Sequence, residues 1–300
     1  MDTRRLETFV RIVEIGSLTK AATVLHVAQP ALSQQISGLE SELGQQLLVR
    51  SKQGVRPTEA GALLYRHALV ILKQLGDALL EVESAGREVA GDVSLGLAPY
   101  SSANLIALPL LQAVRKRYPG IRLRIADNFG PVLSEAMMTG RLDLALLFDP
   151  GPMSGMIFEE LVTEDLVLLR RQSEGTSAEE EAVEVAALGE LPLLLPSPVH
   201  TIRKAVTSAC EAVGITPLVV AEVGSVHLLG QTVEAGLGAT LLPRSVAARL
   251  VQARPLRMDR VDPRIEVTLS LGTLGTMPLS RPAECVRDLL REVVAETLLG

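Results

Sequence analysis

Gln29, Ser33, Gln34 and Gln35 put amides and a hydroxyl close together in the chain, and such groups can hydrogen-bond the edges of base pairs. The segment around them says what would carry them. From Ala21 an apolar-patterned helix runs to Leu25, and His26-Val27-Ala28 breaks it. Gln29-Pro30 then opens a second helix on Leu32, Ile36, Leu39 and Leu43, which recur at helical spacing. Proline suits a first helical turn, where its missing N–H has no partner in any case. Two helices across so short a turn form a helix-turn-helix, which lays its second helix in the DNA major groove. A helical hairpin inside a core would not need so many amides on one face. On this reading Gln29, Ser33 and Gln34 contact bases, and Pro30 packs on a base or a thymine methyl.

The flanking residues extend the pattern. Leu6, Phe9, Val10 and Val13 form the apolar face of an earlier helix ending near Gly16, and Ser17 is a good cap for the next. After Leu43-Gly44, the runs Leu47-Leu48-Val49-Arg50 and Val55-Arg56-Pro57-Thr58 surround a turn at Ser51-Lys52-Gln53-Gly54. Two short extended runs around a glycine read as the wing of a winged helix-turn-helix, with Arg50, Lys52 and Arg56 on phosphates.

These residues carry a resemblance. Ala21-Ala22, Gln29-Pro30-Ala31-Leu32-Ser33, Ile36, Leu39-Glu40, Leu43-Gly44, Leu47-Leu48-Val49-Arg50 and Thr58-Glu59-Ala60-Gly61 resemble the amino-terminal signature of the LysR-type transcriptional regulators. Gly96-Leu97-Ala98-Pro99 and the overall spacing are similar to the nitrogen assimilation control branch of that family. The resemblance implies a linker helix, a homodimer or homotetramer on double-stranded DNA, contact with RNA polymerase and a two-lobed regulatory domain. The first expectation is a regulator modulated through its carboxy-terminal domain; the narrower branch implies the alternative, a regulator that needs no small effector and is controlled by its own abundance. One departure is local: many members carry Arg or Lys where Gln34 stands, so a cationic base contact cannot be carried over to that position.

From Thr58 to Val89 the chain has no proline, and Leu64, Ala68, Ile71, Leu75, Ala78 and Val82 alternate at spacings of four and three. That is a heptad seam. A helix of some thirty residues would extend about 45 Å, and alone in water it would not persist. It is expected to pair two winged domains, which matches two half-sites on DNA.

Beyond Gly91 strands and helices alternate, which implies parallel sheets with right-handed crossovers. Val93–Leu97, Ile121–Ile125 and Leu142–Phe148 read as strands of a first lobe; Leu166–Leu169, Leu193–Leu195, Leu218–Ala221 and Ala239–Leu242 read as strands of a second. Ile265–Leu271 and a helix from Arg281 to Leu299 return to the first. The expected fold is multi-domain: a winged helix-turn-helix over 1–58, a linker helix over 59–90, and a two-lobed α/β sensor of the periplasmic-binding-protein-like type 2 over 91–300. Lobe I takes about 91–161 and 267–300, lobe II about 162–266. Residues 172–190, with Glu179-Glu180-Glu181, read as a solvated helix or loop.

Open α/β sheets bind ligands beyond the carboxyl ends of their strands, where helix amino termini favour anions. Tyr100, Ser101 and Ser102, then Asn128 and Phe129, then Phe148, Ser197 and His200, then Ser225 and Val226 meet that description. They form the candidate effector site, with His200 adding charge if protonated. Tyr100 would narrow the cleft, and none of these segments holds an arginine to grip a carboxylate. Dicarboxylates are therefore expected to bind weakly or not at all.

Composition sets outer limits. The net charge of −6 falls wholly in residues 91–300, since residues 1–90 carry ten Lys and Arg against ten Asp and Glu. A neutral DNA reader cannot lean on bulk electrostatics and needs placed cations and multivalency. With no Trp, three Tyr and four Phe, base stacking on aromatics is not the expected mode. Cys210 and Cys285 are far apart and outside any Cys-x-x-Cys, so each is expected to be a small buried hydrophobe and no metal or other cofactor is indicated. No elbow, Walker loop or dinucleotide fingerprint marks an enzyme. The start of the chain lacks an apolar leader and no run reaches spanning length, so a cytoplasmic location is expected, away from any membrane. A solute-binding protein without a DNA role remains the remote alternative.

Overall fold

Capping and apolar spacing build the first three helices. In this computed structural model, which describes residues 2–51, 53–83, 85–153, 155–172 and 180–299, α1 (Thr3–Ile15) is capped by the Asp2 carboxylate and stops at Gly16, φ 67°. Ser17 caps α2 (Leu18–Val24) by accepting from the Lys20 N–H. The turn passes through His26 in the left-handed region, φ 54°, into α3 (Gln29–Leu43), whose Pro30 lies in its first turn. Phe9, Ile12, Ala21, Leu32, Ile36 and Leu39 close the interior between these helices. The wing follows as β1 (Leu48–Ser51) and β2 (Gly54–Pro57), an antiparallel pair.

Thr58 then ends the wing and caps α4 (Glu59–Glu83), its hydroxyl donating to the Gln46 carbonyl and accepting from the Gly61 N–H. Gly61 is required by close approach: a Cβ there would lie 2.0 Å from the Leu47 carbonyl oxygen. The helix has 25 residues and spans about 37 Å, shorter than the expected run to Val89. It gives way to a turn in which Gly86 takes φ 77°. The chain forms two compact units, Met1–Arg87 with Met138–Arg141, and Glu88–Met137 with Leu142–Gly300; α4 therefore groups with the winged domain.

The second unit alternates as its sequence suggests. Its first lobe holds β3 (Ala90–Leu97), α5 (Ala103–Arg117), β4 (Gly120–Asp127), α6 (Gly130–Met138) and β5 (Leu144–Phe148). Strand β3 runs parallel to both β4 and β5. Then β6 (Met156–Arg171) crosses between lobes. The second lobe follows as β7 (Ala182–Glu184), β8 (Leu193–Leu195), α7 (Thr201–Ala212), β9 (Val219–Glu222), α8 (Val226–Glu234), β10 (Thr240–Pro243), α9 (Arg244–Ala253) and β11 (Leu256–Asp262). β12 (Glu266–Leu274) and α10 (Arg281–Val294) return to the first lobe, and a π-helical turn, Ala295–Leu299, ends the described chain.

The sequence pattern marks the long strand only at Leu166–Leu169. Its first part has no clean alternation, because residues on both faces are half-covered, so the period-two signal is absent. Met156–Asp165 pairs with β12, and Leu166–Arg171 pairs with β10 and β11. The change of partner, at Asp165 and Leu166, thus comes later than the 161/162 division read from sequence. One apolar interior, from Val93 and Leu95 through Leu168 to Leu193 and Leu241, runs through this crossover.

Residues 172–190 are also not a plain solvated segment where described (173–179 lie outside the described residues). β7 adds parallel to β11, and the 3-10 turn Val185–Gly189 buries Val185 and Leu188. Glu180 and Glu181 are held by Arg244 and Arg170. The acidic run reads as solvated because its arginine partners lie outside it, 11 residues before Glu181 and 64 after Glu180. Among the described residues no helix is long and apolar enough to cross a membrane.

Candidate nucleic-acid interface and sensor cleft

Helix α3 buries Leu32, Ile36 and Leu39 and leaves Gln29, Pro30 and Gln34 exposed, with Ser33 half-buried beside them. Its amino terminus carries no side-chain cap hydrogen bond, and a helix start of this kind suits a phosphate. Gln35 departs from the expectation of a solvent-facing amide: it is half-buried and its Oε1 finds no partner among the described residues. It sits beside Ile36 at the flank of the apolar stripe, so its amide cannot join the outward face.

The wing residues divide. Cross-strand pairs put Arg50 opposite Val55 and Arg56 opposite Val49, and side chains alternate between the faces of a strand. Arg50 and Arg56 therefore lie on opposite faces of the wing. Arg50 turns toward the recognition helix, its Nη1 donating to Ser33 Oγ at 2.7 Å. Arg56 is exposed and suited to a phosphate. Lys52 lies outside the described residues. A residue that sequence reasoning assigned no role, Glu40, ties helix to wing, since its Oε1 accepts from the N–H groups of Leu47 at 2.8 Å and Leu48 at 3.2 Å. The signal for it was its place in the Leu39-Glu40 motif.

Along α4 the heptad residues separate into two sets. Ala68 is fully buried against Leu6 and Val10, and Leu64 packs on the same interior. Ile71, Leu75, Ala78 and Val82 are exposed, Val82 at 75%. The first turns of the seam are thus spent inside their own domain, and the later turns present an apolar stripe to solvent together with Leu79.

In the sensor, the carboxyl ends of β3, β4 and β5 face the amino end of α7, and four of the expected effector residues meet there. Phe129, Phe148 and His200, with Pro99, Val199 and Thr201, line a cavity of about 40 Å³, little more than the share of one water molecule, about 30 Å³. Tyr100 is buried with its ring edge-on to His200 at 5.1 Å, and Phe129 meets the same imidazole at 6.5 Å. The Tyr100 hydroxyl donates to the Val223 carbonyl, and burial pushes its pKa up to about 12. Nδ1 of His200 accepts from the Ile202 N–H at 3.2 Å. That leaves the proton of the neutral ring on Nε2, 3.1 Å from the Pro99 carbonyl. Desolvation lowers the His200 pKa, opposed in part by that carbonyl, which disfavours the charge that a protonated ring would add.

The remaining candidates do not reach the cavity. Ser101 is buried in its own turn, donating to Ala98 O at 2.6 Å and accepting from the Ala103 N–H. Ser102 is buried with no partner for its hydroxyl among the described residues. Exposed Asn128 folds back on the Phe129 N–H, and exposed Ser225 caps α8 through the Leu228 N–H. Ser197 supplies only a backbone acceptor for His200, and Val226 packs on the core. Roomier cavities, about 300 and 490 Å³, lie beside the crossover, where Arg244 is matched by Glu180 and Arg264 lies 3.8 Å from Asp165. Of the two thiols, Cys210 is buried and Cys285 is half-buried.

Comparison with known proteins finds a family model for each of the two parts of the chain. Residues 3–62 match the family model of the bacterial regulatory helix-turn-helix protein, lysR family, and residues 86–295 match the LysR substrate binding domain. The chain is 41% identical over 300 residues to the nitrogen assimilation regulatory protein nac of Escherichia coli, covering 100% of this chain and 97% of that protein. It is 40% identical over 301 residues to the protein of that name from Klebsiella aerogenes, with coverage of 100% and 97%. Among solved structures, a full-length OxyR variant from Pseudomonas aeruginosa matches with a TM-score of 0.76 at 24% identity, covering 100% and 96% of the two chains. At that identity the likeness concerns the fold.

Proposed function

Because this chain belongs to the LysR family of DNA-binding transcriptional regulators, which are not enzymes, we propose that it reads paired promoter half-sites as a homo-oligomer and works without a small effector in its cleft. Gln29, Ser33 and Gln34 contact base edges, Pro30 packs on a base or thymine methyl, and Arg50, Lys52 and Arg56 position the backbone. The exposed stripe of Ile71, Leu75, Ala78 and Val82 is covered by a second copy. That pairing supplies the multivalency that a neutral DNA-binding domain needs. The protein works in the cytoplasm and contacts RNA polymerase at its promoters.

The observation that carries the effector-free reading is the cavity of about 40 Å³ where a ligand would sit. A drug-sized ligand pocket is some 300 Å³ or more. The test has two arms. Footprinting of the full-length protein on a selected site, with no metabolite present, is expected to show full occupancy of two half-sites. A thermal-shift screen against a metabolite library is expected to be silent, although a ligand at a hundred times its Kd would stabilise the fold by about 2.7 kcal/mol. A library hit that also changes the footprint sinks the proposal.

A further inference from the structure

Two-lobed sensors close on a ligand that bonds to both lobes. Here side chains of the protein make those bonds. Tyr100, from the first lobe, donates its hydroxyl to Val223 O of the second. In the other direction His200 Nε2, from the second lobe, meets Pro99 O of the first at 3.1 Å. Thr201 Oγ1 donates to Phe148 O at 3.3 Å in the same sense. Every acceptor is a main-chain carbonyl, and every donor is a side chain at the ligand end of the sheet. Tyr100 and His200 touch edge-on between them.

A second observation is independent of these bonds. Tyr100 sits at φ 61°, a left-handed backbone that a bulky residue adopts only under constraint. That conformation is the one in which the ring stands buried against the second lobe. Local strain kept at such a point indicates a role for the contact it makes.

We infer that Tyr100 and His200 form an internal latch that takes the place of an effector, holding the two lobes closed by reciprocal side-chain-to-backbone hydrogen bonds across the cleft. The inference rests on the effector-free reading above and gives it a mechanism. With the latch made, the space left is too small for a metabolite. With the phenol ring removed, the cleft gains a cavity of the size and polarity of that ring.

Hydrogen–deuterium exchange of the full-length protein tests it. Tyr100→Phe keeps the ring and removes the donor; His200→Asn keeps a cap for α7 and removes the reach to Pro99. Each is expected to lower protection about fivefold, as for loss of one net hydrogen bond, at residues 98–103, 200–203 and 222–224, with the winged unit unchanged. Unaltered protection there in both variants overturns the latch and leaves the effector-free reading standing. Conversely, a natural ligand found by screening would sink that reading without altering the exchange result. Tyr100→Ala adds a gain of function: p-cresol, the tyrosine side chain as a free molecule, is expected to raise its Tm and restore its exchange pattern while leaving the wild type unmoved. A folded Tyr100→Ala protein indifferent to p-cresol counts against the latch, and if that variant does not fold, the Tyr100→Phe exchange decides.

Discussion

The guanidinium of Arg50 reaches from the wing to Ser33 on the recognition helix, 2.7 Å from its hydroxyl oxygen. The bond occupies the acceptor side of Ser33 and leaves its proton free to donate outward. It also brings a cation to the exposed side of α3, at the residue next to Gln34 in the chain. Arg56, on the other face of the wing, makes no such link among the described residues.

The two arginines therefore should not behave alike. Arg56→Ala is expected to weaken binding evenly across sequences and reduce the salt-dependence slope by about 1. Arg50→Ala is expected to cost selectivity as well, at the base pair nearest Ser33. Anisotropy titrations at several salt concentrations, on a set of single-base variants, separate the two. Identical profiles for both variants would refute the division.

Gln29 stands exposed in the first turn of α3. Gln29→Ala is expected to cost about 1–3 kcal/mol on the preferred site and to relax sequence preference. A binding-site selection that returns the wild-type motif at full strength would remove Gln29 from the base-reading set.

Gly61→Ala tests the junction of wing and long helix. A Cβ 2.0 Å from the Leu47 carbonyl forces the helix away from the wing that Glu40 anchors. The expected loss is about 1–3 kcal/mol, typical of overpacking, read by urea denaturation. Gly76→Ala, with nothing within 4 Å of the new methyl, serves as the control and should be neutral or stabilising.

Leu75→Glu places a charge in the exposed stripe of α4 without touching the interior that holds Ala68. Sedimentation should show a smaller assembly and DNA affinity should fall, while the Tm of the isolated fold stays near wild type. An unchanged sedimentation coefficient would move the oligomer contact elsewhere.

Acid should loosen the cleft. The pKa of His200 is lowered in the folded protein by burial, with the Pro99 bond opposing in part, and its titratable neighbour Tyr100 stays protonated. A folded pKa below the unfolded value means that the unfolded chain binds the extra proton first. The contribution is therefore complete above the usual histidine pKa of about 6.5 and is lost as pH falls from there toward the lowered value. Protonation would also set Nδ1–H against the Ile202 N–H. The Tm advantage of wild type over His200→Asn is expected to shrink between about pH 7.5 and 5.5; a constant difference would show that His200 does not titrate in this way.

What the sequence determined is local. The caps at Ser17 and Thr58, the apolar spacing of Leu32, Ile36 and Leu39, the glycine turn of the wing and the alternation of strands and helices each follow from neighbours within a few residues. Local preference and the tertiary fold agree there, so these elements were legible. Tertiary structure alone decided where side chains separated in sequence come to lie. It split the heptad of α4 by burying Ala68 against α1, and placed Arg50 and Arg56 on opposite faces of the wing. It gave Glu180 and Glu181 partners at Arg244 and Arg170. It also selected Tyr100 and His200 from a row of equivalent candidates and joined them across the cleft, while leaving Ser101 and Ser225 as local caps. Hydrogen bonds of this kind depend on distances set by packing between elements, and no spacing along the chain encodes those distances.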